Sequence, residues 1–195
     1  ADLDAKSAKQ FAYYDEVIHR AVELEEFVQA HAALTGAVGA ELFAGADRQE
    51  RADLIWNGAL KATQLDDLLD FLRASRSSGR KLTEQEQATV ATRITDSPQI
   101  ISDFAILGDR VQELQQADVL SAGTACTALV TLYVKAAESA PETTTRLGLD
   151  LGERMLAVAP LVLESDLPDA GARIGELIQA LNLLRRKSFK DVGPD

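Results

Sequence analysis

Apolar residues recur every three to four positions through most of this chain, with polar residues filling the positions between them. That spacing is the period of an α-helix with one buried face. The first stripe runs through Phe11, Tyr14, Val17, Ile18, Ala21, Leu24, Val28 and Ala32 without a break. It predicts one long first helix from about Asp2 to Phe43, roughly 60 Å at 1.5 Å per residue. Gly36 and Gly39 weaken its end, and Gly45 reads as its stop signal.

Asp47-Arg-Gln-Glu50 has the form of a capping box and opens a second helix, whose stripe runs from Leu54 and Ile55 through Ala59, Ala62, Leu65, Leu68 and Leu69 to Leu72. The polar run from Ser75 to Arg80 reads as a loop. Thr83-Glu-Gln-Glu86 is another capping box, starting a short helix that ends near Thr95. Ser97-Pro98 reads as an N-cap followed by proline at the first helical position, opening a helix with Ile101, Phe104, Leu107, Val111 and Leu114 on one face. A fifth helix is expected from Ser121 to Ser139. Pro141 opens a sixth that ends near Pro160, and Leu161 to Asp166 form a connector. Pro168 starts the last helix, which reaches Lys190 with Ile174, Leu177, Ile178, Leu181 and Leu184 in its stripe.

No segment alternates with the period of a strand between hairpin turns. The expected fold class is therefore all-α: a single domain over residues 1–195, built as an antiparallel helical bundle or as two stacked bundles sharing the long first helix. Of the 195 residues, 46% are hydrophobic, enough for a real core, but only 5% are aromatic, so that core must be largely aliphatic.

Charge narrows the function classes. The formal net charge of −11 repels phosphate backbones, and no nucleic-acid partner is expected. The dense basic clusters are Arg185-Arg186-Lys187 and Arg73 to Lys81, and the first falls where a helix should end, a place where cations suit the helix dipole. Cys126 is the one cysteine and lies in an apolar stretch, so an internal disulfide is ruled out and a buried, inert thiol is expected. No apolar run approaches the ~20 residues of a membrane span, and no signal-peptide pattern is visible.

The expected chemistry is as informative for what it lacks. Glu16-Val-Ile-His19 has the spacing of half a di-iron motif, but a carboxylate-bridged site needs two such pairs, and the chain has only two histidines. No metal and no cofactor are expected. There is no G-x-S-x-G elbow, no Walker loop and no dinucleotide glycine fingerprint, and the expectation is a protein that is not an enzyme. His31, among Ala30, Ala32, Ala33 and Leu34, is either a core histidine or a ligand.

The order of motifs is suggestive. Val28-Gln-Ala-His-Ala-Ala-Leu-Thr35 is followed by Ala37-Val-Gly-Ala-Glu-Leu-Phe-Ala-Gly45, Ala62-Thr-Gln-Leu-Asp-Asp-Leu68, Leu82-Thr-Glu-Gln-Glu-Gln-Ala88, Asp96-Ser-Pro98 and Phe104-Ala-Ile-Leu-Gly-Asp-Arg110. The series resembles the nitrate- and nitrite-sensing (NIT-like) helical domains of bacterial sensor kinases, over roughly residues 10 to 120. That family carries an arginine in its first helix where this chain has Ala30 and His31. The resemblance implies a small ligand, such as an anion, held between helices.

The expected function is thus a non-enzymatic helical sensor or signal-transmission domain. His31 and Thr35, one turn apart, and Arg48 and Arg51, just after the turn, are the expected ligand-binding residues, with a His31 protonated near pH 6 beside an arginine attracting the anion. A protein partner or a homodimer is expected. The alternative is a cytoplasmic helical adaptor that binds protein partners. The chain would sit outside the cytoplasm as part of a bacterial membrane receptor, or within the cytoplasm.

Overall fold

The computed structural model describes residues 2–78, 80–140 and 145–188. Nine α-helices and no strand occur among the described residues: α1 (Asp2–Glu23), α2 (Phe27–Gly39), α3 (Gly45–Leu60), α4 (Leu65–Ala74), α5 (Glu84–Asp96), α6 (Ile101–Gln116), α7 (Ala122–Ser139), α8 (Thr145–Glu164) and α9 (Ala170–Ser188). The chain divides into two compact units, Ala1–Arg80 and Lys81–Asp195.

In the N-terminal unit, α1 packs on α2 and α3, and α2 packs on α3 and α4. The expected long first helix is two helices. The chain turns at Leu24 to Glu26, where Glu25 takes the left-handed conformation with φ of 59°. The Glu26 amide donates to the Ala21 carbonyl (2.8 Å) and the Glu25 amide to that of Val22 (3.1 Å), the paired bonds of a Schellman ending. A left-handed acidic residue costs about 1–2 kcal/mol. Its carboxylate helps to offset that cost by accepting from the amide (2.8 Å) and hydroxyl (2.7 Å) of Thr63, in the turn between α3 and α4. α2 ends the same way on Glu41, φ 57°.

The expected second helix is also two, α3 and α4, separated at Lys61 to Gln64. Gly45 opens α3 rather than stopping α1, and Asp47 lies inside the first turn rather than at the N-cap, which is Ala44. α3 lies close against the corner between α1 and α2: a Cβ on Gly58 would come within 2.8 Å of the Phe27 ring. At the centre Phe71 meets Trp56 edge-on at 4.8 Å and Phe27 at 6.3 Å. Short helices thus bury their few aromatic rings together, and aliphatic residues such as Ile18, Leu34, Ile55 and Leu72 fill the space around them.

In the C-terminal unit α7 is central and packs on α5, α6, α8 and α9. Its buried residues, from Ala125 and Cys126 through Leu129, Val130, Leu132 and Tyr133 to Ala137, cover more than half of its circumference. The capping box at Thr83 is formed in both directions, the Thr83 amide donating to Glu86 Oε2 (2.8 Å) and the Glu86 amide to Thr83 Oγ1 (3.2 Å). Ser121 caps α7. Ser97-Pro98 does not open α6. Asp103 reaches back to accept from the amides of Gln99 (2.9 Å) and Ile100 (3.0 Å), which moves the start to Ile101 and holds the Asp103 carboxyl below its ordinary range.

Two lysines close helix ends: Lys135 donates to the Thr95 carbonyl (3.0 Å) at the end of α5, and Lys187 to the carbonyls of Ala137 (3.0 Å) and Ala140 (2.9 Å) at the end of α7. Pro160 sits within α8, and of the expected connector Leu161 to Asp166 the residues Leu161 to Glu164 are the helix's last turn. The last helix begins at Ala170, two residues after Pro168. Pro141 and Lys190 lie outside the described residues. Among the described residues no helix is long and apolar enough to cross a membrane.

Candidate functional site

The N-terminal unit carries an open hollow of about 740 Å³ between α2 and α3. Its floor is apolar: Leu34 and Val38 from α2, Ile55 and Trp56 from α3. Its rim is polar, with His31 and Thr35 from α2, Arg48, Gln49 and Asp53 from α3, and Arg80 beyond α4. Helical phase explains the set. Positions 48, 49, 52, 53, 55 and 56 form one face of α3, and 31, 34, 35 and 38 form one face of α2.

The structure brings His31, Thr35 and Arg48 to this hollow. The Thr35 hydroxyl donates back to the His31 carbonyl at 2.9 Å, leaving its lone pairs as acceptors toward the hollow. His31 is half-buried, with its ring edge-on to Phe71 at 6.1 Å. Burial pushes its pKa below the ordinary 6.5, so near neutral pH the imidazole is uncharged. Desolvation therefore opposes the protonated His31 expected near pH 6. Cationic character comes instead from Arg48, exposed and in no ion pair among the described residues, and from Arg80.

Arg80 is held in place. Its guanidinium lies 4.6 Å over the Trp56 ring and donates to Asp53 at 3.3 Å, an oxygen that also accepts from Gln49 Nε2 at 3.0 Å. Gly45, at the positive end of the α3 dipole, joins the lining.

Arg51 does not line the hollow. Three residues beyond Arg48 it points away from the centre of the hollow face and toward α1, where its Nε donates to Asp15 at 2.8 Å and its NH1 to Glu50 at 2.9 Å. Its carbon sits over the rings of Phe11 (5.6 Å) and Phe43 (5.3 Å). The expected site omits Arg80 and Trp56. Trp56 falls on the Arg48 face at helical spacing, whereas nothing local to Arg80 points to this hollow.

Elsewhere His19 Nδ1 lies 2.8 Å from the Asp15 carbonyl, and Glu16 is exposed. Among the described residues no three histidine, cysteine or carboxylate side chains converge as a metal site. Cys126 is buried, and burial pushes its thiol pKa up. No family model matches the chain, and no curated protein or solved structure matches it either.

Proposed function

We propose that this chain is a non-enzymatic helical sensor domain whose N-terminal unit binds a small organic anion in the α2–α3 hollow. The observation that carries the reading is the pairing there of an apolar floor, containing the buried Trp56, with the guanidiniums of Arg48 and Arg80 on the rim. Ligand pockets are typically apolar clefts of about 300–1,000 Å³ with a few convergent polar groups. The volume exceeds what nitrate alone would fill, and a carboxylate with a compact apolar body matches both surfaces. The resemblance to nitrate- and nitrite-sensing domains supports the sensor class, with arginine supplied from α3 and the segment after α4 in place of the first helix. Displacement of α3 against α2 on binding would carry the signal.

Trp56 is the only tryptophan, so intrinsic fluorescence reports directly on the hollow. Nitrate, nitrite and a series of aliphatic and aromatic carboxylates are titrated into wild type, Arg48→Ala and His31→Ala, with fluorescence and melting temperature as readouts. A carboxylate at 100 times its dissociation constant is expected to stabilise wild type by about 2.7 kcal/mol, and less in Arg48→Ala. If no anion moves either readout, or if both variants respond like wild type, the reading fails.

The adaptor reading is favoured by a different observation, the exposed leucines of α8 in the C-terminal unit. The two readings separate on whether the hollow takes a small molecule.

A further inference from the structure

Three charged side chains line the α2–α3 hollow: Arg48, Asp53 and Arg80. They are not equally available to a ligand. Asp53 Oδ1 accepts from Arg80 at 3.3 Å and from the Gln49 amide at 3.0 Å, so this carboxylate takes up charge that Arg80 would otherwise offer. Arg80 is held further by Trp56, whose ring centre lies 4.6 Å from its guanidinium carbon. Arg48, in contrast, is exposed and makes no ion pair among the described residues. Asp53 also borders a smaller hollow on the α1 side of α3, next to Glu50 and Arg51. Its bonded oxygen nonetheless meets Gln49 and Arg80, and both of these line the α2–α3 hollow.

The balance of these charges decides what the hollow can hold. Two guanidiniums and one carboxylate leave a single positive charge, because burial keeps His31 neutral near neutral pH. A ligand with one negative charge brings the hollow to neutrality. A ligand with two leaves it negative, and the second charge has no good place to lie. On the floor it would lose its water against Leu34, Ile55 and Trp56 and gain no partner. Beside Arg80 it would share one guanidinium with Asp53, carboxylate against carboxylate. Turning Asp53 aside would also take the acceptor from Gln49, since both bonds end on the same oxygen. Like charges set against each other are a common way for a site to reject a wrong partner.

We propose, on the reading of this hollow as an anion site, that it takes monocarboxylates and rejects dicarboxylates, and that Asp53 sets the preference. Ligand pairs of matched carbon skeleton that differ in the second charge test this: hexanoate with adipate, and p-toluate with terephthalate. Dissociation constants come from Trp56 fluorescence and from calorimetry, on wild type and Asp53→Asn at one low ionic strength, since salt screens such repulsion. Circular dichroism checks that the variant keeps its helices. In wild type each monocarboxylate is expected to bind about tenfold or more tightly than its dicarboxylate. Asp53→Asn keeps the shape of the side chain and removes its charge, and is expected to close most of that gap by tightening the dicarboxylate. A dicarboxylate that binds wild type as tightly as its partner overturns the proposal, and so does a gap unchanged in Asp53→Asn; in both cases the anion site itself stands. If no carboxylate binds wild type, the anion site fails and the proposal falls with it.

Discussion

Arg51 donates from Nε to the Asp15 carboxylate at 2.8 Å, tying α3 to α1 while its guanidinium lies against Phe11 and Phe43. The Arg51 side chain is only 11% exposed. A partly buried pair of this kind is costly to break from one side, because the remaining charge loses its partner. Arg51→Ala is therefore expected to destabilise the fold by about 2–3 kcal/mol. Arg48→Ala, at an exposed position without an ion pair among the described residues, is expected to change stability by less than about 0.5 kcal/mol. Urea unfolding of the two variants checks the contrast. Equal losses would mean that Arg51 carries no special structural role.

His31 makes stability depend on pH. Burial lowers its folded-state pKa below 6.5, so the unfolded chain takes up a proton first as pH falls. The sign follows: the unfolded state binds more protons between the two pKa values, and stability drops as pH falls below 6.5. His31→Gln is expected to flatten this part of the profile. Melting temperatures from pH 7.5 down to pH 5 test it, and an identical slope in the variant would refute the assignment.

Gly108 in α6 lies against the fully buried Tyr133 of α7. A Cβ there would come within 3.1 Å of Tyr133 Cζ and closer still to the hydroxyl. Gly108→Ala is expected to cost about 1–3 kcal/mol through overpacking, although alanine is the better helix former. Tyr133→Phe removes the atom most in the way, so the double variant should lose less than the sum of the singles. Strict additivity would show that the contact is not the cause.

Glu41 ends α2 in the left-handed region at φ 57°. Unlike the Glu25 carboxylate, which holds Thr63, the Glu41 side chain makes no hydrogen bond or ion pair among the described residues. Glu41→Gly is expected to stabilise by about 0.5–1 kcal/mol, and Glu25→Gly to bring no such gain. Thermal melts of the two variants decide it.

These endings explain why helix identity was legible in the sequence and helix number was not. The 3–4 spacing of apolar residues marked every helical region, and Thr83 and Ser121 marked real starts. Glu25, Glu41, Asp118 and Asp166 end helices or follow them in the left-handed region without the glycine that usually announces one. In sequence, Leu24-Glu-Glu26 continues a helix; the contact with Thr63 that supports the turn lies 38 residues further on. Pro160 misled in the opposite direction, since a proline within a helix looks like an ending. At the candidate site, His31, Thr35 and Arg48 were readable from helical spacing beside a turn. Arg51 was misplaced because Asp15, 36 residues earlier, decides where it points. Arg80 was missed because its partners Asp53 and Trp56 lie far back in the chain.

The central position of α7 has a kinetic consequence. Because α5, α6, α8 and α9 all lean on it, no single helix can leave and expose its backbone to water. Local fraying then serves the amides of α8 and α9 but not those near Leu129, Leu132 and Tyr133, which reach solvent only when the C-terminal unit opens as a whole. In native-state hydrogen exchange these α7 amides should be the last to take up deuterium. Their rates should report the opening free energy of that unit, and Lys187, fastened to the carbonyls at the end of the helix, should extend the protection to its final turn.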